Sequence, residues 1–210
     1  MFILSFDCAY KSLGISLIEI KESLLEDTIS LCRHNLNTMD NIFNKDNIII
    51  HYFAVCSLFK CSISSMSLQE RLTCMKKCLK DLRTSVEIIN PIENTDIVIE
   101  YQMKQNFKTN EITNVIVYEF INEANNVFII KPTFKNSISF TETLKIQNYL
   151  DGLSTSNYRK NKEQTVDNML FFLEKYALSD HLSGIKKSNY KDIADAFMQS
   201  IAYWLIFVNV

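Results

Sequence analysis

Apolar residues in this chain come in short runs near the N-terminus and at helical spacing further on, and that change of period lays out the fold. Phe2 to Phe6 and Leu13 to Ile20 are two β-like runs joined by a short connection, which predicts an antiparallel hairpin. Ile48 to Leu58, rich in Ile, Val, Phe and Tyr, predicts a third strand. From about Ser67 to Ile89 the period becomes helical through Leu68, Leu72, Met75, Leu79, Leu82 and Val86, with Ser67 and Glu70 as a capping box and Pro91 as the stop. Asp96 to Glu100 is a short continuous apolar run ending in an acid, which suits a strand covered on both faces. A helix over about Thr109 to Asn125, a fifth strand from Val127 to Ile130 and a helix from Lys162 to Tyr176 follow. The last helix runs from about Asn189 to Val208 and offers Ile193, Ala194, Ala196, Phe197, Ile201 and Leu205 to the sheet. Residues 21–47 and 133–160 are polar and read as loop expansions, the second with a short helix near Glu142 to Tyr149.

This order predicts an α/β fold: a mixed five-stranded sheet of order 3-2-1-4-5, flanked by helices. Strands 1 and 4 are then parallel neighbours whose connections leave in opposite directions, and ligands bind beyond the carboxyl ends of such a pair. Asp7 and Glu100 stand at those ends. Asp192 and Asp195, at i and i+3, share one face of the last helix near its start, where Ser188 or Asn189 would cap it and the dipole favours a carboxylate. Converging carboxylates repel one another unless a cation lies between them, and hard oxygen ligands suit Mg²⁺ or Mn²⁺. Two such ions are a recurrent device for phosphodiester hydrolysis. Each acid also has an ordinary reading: Asp192 and Asp195 as a solvated first turn, Glu100 as an ion-pair partner of Lys104, Asp7 as a cap on its own turn. Their coincidence at one predicted switch point favours the metal site.

Composition narrows this without redirecting it. At 210 residues with 47% apolar and 22% charged content, the chain is expected to be one globular domain spanning residues 1–210. Three Gly and no Gly-rich phosphate loop exclude Walker or dinucleotide sites, so no nucleotide cofactor is expected. A formal net charge of −2 does not advertise nucleic acid, but acids held in one site mask a local basic surface. The six cysteines, Cys8, Cys32, Cys56, Cys61, Cys74 and Cys78, accompany no secretory signature and read as buried structural thiols in a reducing, intracellular compartment. Cys74 and Cys78 share a helix face, yet no Cys-x-x-Cys or His pair completes a zinc site. The apolar run Ile201 to Val210 is about half a membrane span, so no membrane association is expected.

The segments ILSFDCAYKSLGISLIEI, DIVIEYQ and KKSNYKDIADAFMQSIAYW resemble the RuvC-type Holliday junction resolvases of the RNase H-like superfamily. The likeness is nearest to their poxvirus and large-DNA-virus branch, with the mitochondrial resolvases of yeasts as cousins. That family pairs an Asp in a D-x-[GA]-x-[KR]-x-x-G turn with [IV]-E-x-Q and a final D-x-x-D. Asp7, Ala9, Lys11 and Gly14 match the first block, Glu100 and Gln102 the second, Asp192 and Asp195 the third. Departures are Cys8-Ala9 after the first Asp, Lys191-Asp192 in the last block and the long segment 21–47; none removes a carboxylate. The resemblance implies a homodimeric endonuclease that uses two Mg²⁺ ions, or Mn²⁺ in their place, to cut four-way DNA junctions with paired symmetric nicks. If viral, it would work at replication sites in the host cytoplasm. Asp7, Glu100, Asp192 and Asp195 would hold the ions, with Lys11, Gln102, Lys104, Lys187 or Lys191 near the phosphate.

Further DNA contacts are expected from Lys108, Lys131, Lys135, Arg159, Lys160, Lys162 and Lys186, each of which also reads as a solvated lysine or arginine. Tyr10, Tyr101, Phe107 and Tyr158 are candidates to stack on exposed bases, with a core role as the default. By analogy with that family, the helix after the fourth strand is a candidate dimer surface, although its apolar Ile112, Val115, Ile116 and Phe120 equally suit a monomer's core. Sugar kinases of the actin-like type are opposed by length and by the scarcity of Gly. An RNA-directed nuclease of the same superfamily and a silent junction-binding scaffold stay open as alternatives.

Overall fold

The sheet owes its buried position to strands that are apolar on both faces. The structure, a computed structural model, describes residues 1–21, 43, 46–59, 65–103, 105–136 and 157–208, with 157–160 and 207–208 described by backbone alone. Strands β1 (Phe2–Cys8), β2 (Ser12–Ile20), β3 (Ile48–Ser57), β4 (Thr95–Glu100) and β5 (Asn126–Ile130) form one sheet in the order β3-β2-β1-β4-β5. β1 is antiparallel to β2 and parallel to β4, as the hairpin and crossover reading expects.

Alternation along β1 sends Leu4, Phe6 and Cys8 to one face and Ile3 to the other, each into its own core. Helices α1 (Leu68–Glu87) and α2 (Phe107–Phe120) cover the first face with Leu79, Leu82, Ile116 and Phe120. The second face takes α4 (Asn157–Lys175) and α5 (Tyr190–Tyr203), through Phe172, Phe197, Ile201 and the Trp204 that follows. A short helix α3 (Pro132–Asn136) begins two residues after the end of β5. Pro is suited to a first helical turn, so Lys131-Pro132 ends the strand by starting a helix. The loop expected from residue 133 therefore carries ordered structure at its start. The helix expected near 142–149, the segment 22–42, Cys32 and Cys61 lie outside the described residues.

Ser67 accepts from the Glu70 amide at 3.2 Å and the Glu70 carboxylate accepts from the Ser67 amide at 2.7 Å, so the expected capping box forms. Neither Ser188 nor Asn189 caps α5 through its side chain; a 3₁₀ turn at Lys187–Asn189 leads into the helix instead. The last helix also ends as α-helix at Tyr203 and continues as a π turn over Trp204–Val208. Two arginines of α1 are used internally: Arg71 reaches Glu111 of α2 at 3.0 Å, and Arg83 pairs with Glu123. At the start of β4, Asp96 is 3% exposed and accepts from Asn125 at 2.7 Å, Asn126 at 2.9 Å and Tyr203 at 2.9 Å. Burial, and then Asp96, push the Tyr203 phenol above its ordinary range, so it stays a donor. Cys8 is buried, whereas Cys56, Cys74 and Cys78 are half-buried free thiols rather than fully buried ones.

Candidate active site

Two parallel strands deliver the first two acids. β1 and β4 pair up to Phe6 opposite Ile99, so Asp7 and Glu100 are the next residues along each strand. Asp7 does not end its run as the apolar pattern suggested; it lies within β1, opposite Gly14 of β2, and is buried. The third acid, Asp195, comes from α5 and is 1% exposed. Ile193, Ala194, Ala196 and Phe197 around it are fully buried and seat that helix on the sheet. Gly14 allows the approach: a Cβ there would lie 2.3 Å from the Asp192 carbonyl oxygen. The glycine of the first block is thus a packing requirement between β2 and α5.

Asp7, Glu100 and Asp195 line one cleft of about 380 Å³, with Gln102, Lys135 and Lys162. Both lysines stand among the acids. Lys162 pairs with Asp195 and lies 3.7 Å from Asp7; Lys135 pairs with Glu100 and lies 2.9 Å from Asp195 Oδ1. Three carboxylates against two ammoniums leave one net negative charge. The sequence reading put both lysines on a DNA-binding surface, and the structure puts them inside the acid cluster. No local pattern marks them, since each sits in a polar stretch; only the need of buried carboxylates for counter-charge pointed that way.

Asp192 is not on the cleft wall. It accepts a hydrogen bond from Ser12 Oγ at 3.0 Å, beside the β1–β2 turn. Lys11, Lys131, Lys186, Lys187 and Lys191 do not line the cleft, and Lys11, Lys131, Lys186, Lys187 and Lys191 are exposed. Lys108 is turned to Tyr10, its ammonium 4.5 Å from the ring centre. Lys104 and the side chains of Tyr158, Arg159 and Lys160 lie outside the described residues. Tyr101 and Phe107 are exposed, 43% and 80%, which sets aside the core role taken as their default.

Burial pushes the Glu100 carboxyl above the usual glutamate range; Lys135 draws it down and Asp7 raises it again, but burial prevails. Burial, reinforced by Asp7, also raises the Cys8 thiol far above neutrality, so Cys8 lines the cleft as an inert neighbour and not as a nucleophile. Among the described residues no three acidic, His or Cys side chains surround one point ready to take an ion. The reason is visible in the geometry, because ammoniums occupy the spaces between the acids. The donor set nevertheless fits a hard divalent ion: every donor is a carboxylate oxygen, and buried Asp195 Oδ1 has no aligned hydrogen bond despite the lysine near it.

A five-stranded sheet of this order, with acids at the ends of its two central parallel strands and on the helix crossing them, defines an RNase H-like fold of the resolvase type. The chain matches the family of the Poxvirus A22 protein over residues 1–206, and it belongs to that family. The fowlpox virus resolvase, solved in complex with substrate Holliday junction DNA, is 17% identical with a TM-score of 0.57, over 97% of this chain and 96% of that one. RuvC of T. thermophilus, solved with a Holliday junction substrate, is 11% identical with a TM-score of 0.55, over 98% and 94%. No curated protein sequence matches the chain.

Proposed function

We infer that this chain is a crossover junction endodeoxyribonuclease, a metal-dependent nuclease that resolves four-way DNA junctions. The observation that carries the reading is the convergence of Asp7, Glu100 and Asp195 in one cleft at the switch point of a resolvase-type sheet. Membership in a poxvirus family supports work on viral DNA in the host cytoplasm. The exposed outer residues of α2, among them Tyr118 at 83%, support that helix as a homodimer surface placing two clefts on one junction.

Asp7, Glu100 and Asp195 would hold divalent ions, Mg²⁺ or Mn²⁺, and Asp192, one turn before Asp195 on α5, would join them only by leaving Ser12. Such ions would supply an activated water and charge neutralisation at the phosphate. The rest falls to the chain itself. β1 and β4 fix two carboxylates rigidly, and α5 brings the third, so the acids need no reorganisation when substrate arrives. Lys162, 22% exposed in its side chain, sits at the cleft and can turn its ammonium from Asp195 to a phosphate oxygen. Gln102 lines the same cleft as a neutral hydrogen-bonding group. Exposed Tyr101 lines it too, available to bases that a junction leaves unstacked.

The ammoniums between the acids would also suit a junction-binding protein without catalysis. A labelled synthetic four-way junction separates the two readings. Wild type in Mg²⁺ is expected to make paired symmetric nicks, and Asp7→Asn to bind the junction while losing at least about 10³-fold in rate. Binding by wild type without metal-dependent nicks would sink the nuclease reading, and preference for an RNA-containing duplex would move the substrate.

A further inference from the structure

We propose that Lys135 is a tethered cation filling the space between Glu100 and Asp195, which a divalent ion must displace, so that this lysine sets the affinity of the site for metal. The inference rests on the metal-site reading above and adds to it a residue that the acid pattern does not contain. Lys135 is 5% exposed, and lysine is almost never buried to that degree without paired acids. Its ammonium pairs with Glu100 and lies 2.9 Å from Asp195 Oδ1, so it touches two of the three cleft carboxylates. It arrives from α3, the short helix that follows β5.

An ammonium and a divalent ion compete for the same oxygens, and they do not bind them equally well. Lys135 contributes one charge, and its approach leaves Asp195 Oδ1 without an aligned hydrogen bond. A divalent ion would use that oxygen fully. The cleft beside it leaves room for the displaced ammonium, and an incoming DNA phosphate is its natural next partner. Before metal arrives, the lysine offsets repulsion among buried acids and holds the cleft together. The cost falls on metal binding: if the ammonium occupies the space nine-tenths of the time, apparent affinity drops about tenfold.

The test is Mn²⁺ binding without DNA, followed by titration calorimetry, together with melting in chelator. Lys135→Met is expected to bind Mn²⁺ about tenfold tighter than wild type and to melt lower in chelator, with the loss recovered on adding Mn²⁺. Lys135→Arg, which keeps the charge, and Lys131→Met, which removes a charge from the neighbouring surface, are expected to bind Mn²⁺ as wild type does. Lys135→Gln, which keeps polar contacts to both acids, should also bind tighter and serves if the methionine variant does not fold. A merely structural lysine would weaken the site when removed, so unchanged or weaker binding by the folded variants overturns the proposal. Equal tightening by Lys131→Met overturns it too, because general charge would then be the cause. If wild type binds Mn²⁺ and Asp7→Asn does not, while Lys135→Met matches wild type, only the role of Lys135 falls. If wild type itself binds no Mn²⁺, the metal-site reading falls with it.

Discussion

Gly14→Ala tests whether the close seating of α5 on β2 builds the acid cluster. The added Cβ would stand 2.3 Å from the Asp192 carbonyl oxygen and 2.7 Å from its carbonyl carbon. Ordinary carbon contacts lie near 3.5–4.0 Å, so the helix start must retreat by roughly 1 Å. Those neighbours are backbone atoms, so no side-chain rotation relieves the clash. Overpacking of this kind costs about 1–3 kcal/mol, and a strand alanine recovers about 0.5–1 kcal/mol of backbone entropy. A net loss of about 1–2 kcal/mol follows, read as a fall in urea midpoint at unchanged slope. The effect on rate should exceed the effect on stability. The retreating turn carries Asp192 and lies one turn from Asp195, and displacement of catalytic groups by about 1 Å costs on the order of 10²-fold. Single-turnover cleavage of a four-way junction, below the unfolding range, measures that loss. Wild-type stability together with wild-type cleavage would refute the packing argument. Lowered stability with intact cleavage would show that the cluster tolerates movement of the helix.

Two further outcomes follow from buried groups, one inside the cleft and one away from it. Because burial raises Glu100 in the folded state, its contribution to the metal-free fold is fully present below the unfolded value of about 4.3 and is lost as pH rises through the higher folded value. Glu100→Gln should therefore flatten the melting-temperature profile over that interval in chelator, and parallel profiles would contradict the shift. Tyr203→Phe removes the donor at 2.9 Å from Asp96 Oδ2 and should cost about 1–3 kcal/mol, seen in melting temperature. Junction cleavage should stay within about twofold, since Asp96 sits at the opposite end of β4 from Glu100; a large loss of rate would mean the cleft depends on that end of the strand.

Strand order was legible because it rests on short-range signals: a tight hairpin, apolar runs of strand length and right-handed crossovers. The same logic located Asp7 and Glu100, since the ends of two adjacent parallel strands follow from order and direction alone. A 3.6-residue period put Asp192 and Asp195 together on one face of the last helix. The boundaries were less legible: β1 extends two residues past the expected Phe6, and Pro132 opens a helix. Pairing with β2 carried β1 on to Cys8, whereas at Pro132 the proline's fit to a first helical turn set the boundary.

What the sequence determined by itself is the sheet, its switch point and the acids that face it, because those depend on periodicity and chain direction. What only the tertiary structure decided is how charges are shared at the cleft. Asp192 and Asp195 look equivalent in the sequence, yet one turns to Ser12 and the other enters the cluster, because the close approach at Gly14 sets the rotation of α5 over β1 and β2. Lys135 and Lys162 look like surface lysines, yet both end among the acids, because buried carboxylates from three distant segments draw in whichever cations the fold brings within reach. Such pairing joins residues far apart along the chain, and no local pattern of hydrophobic and polar positions records it.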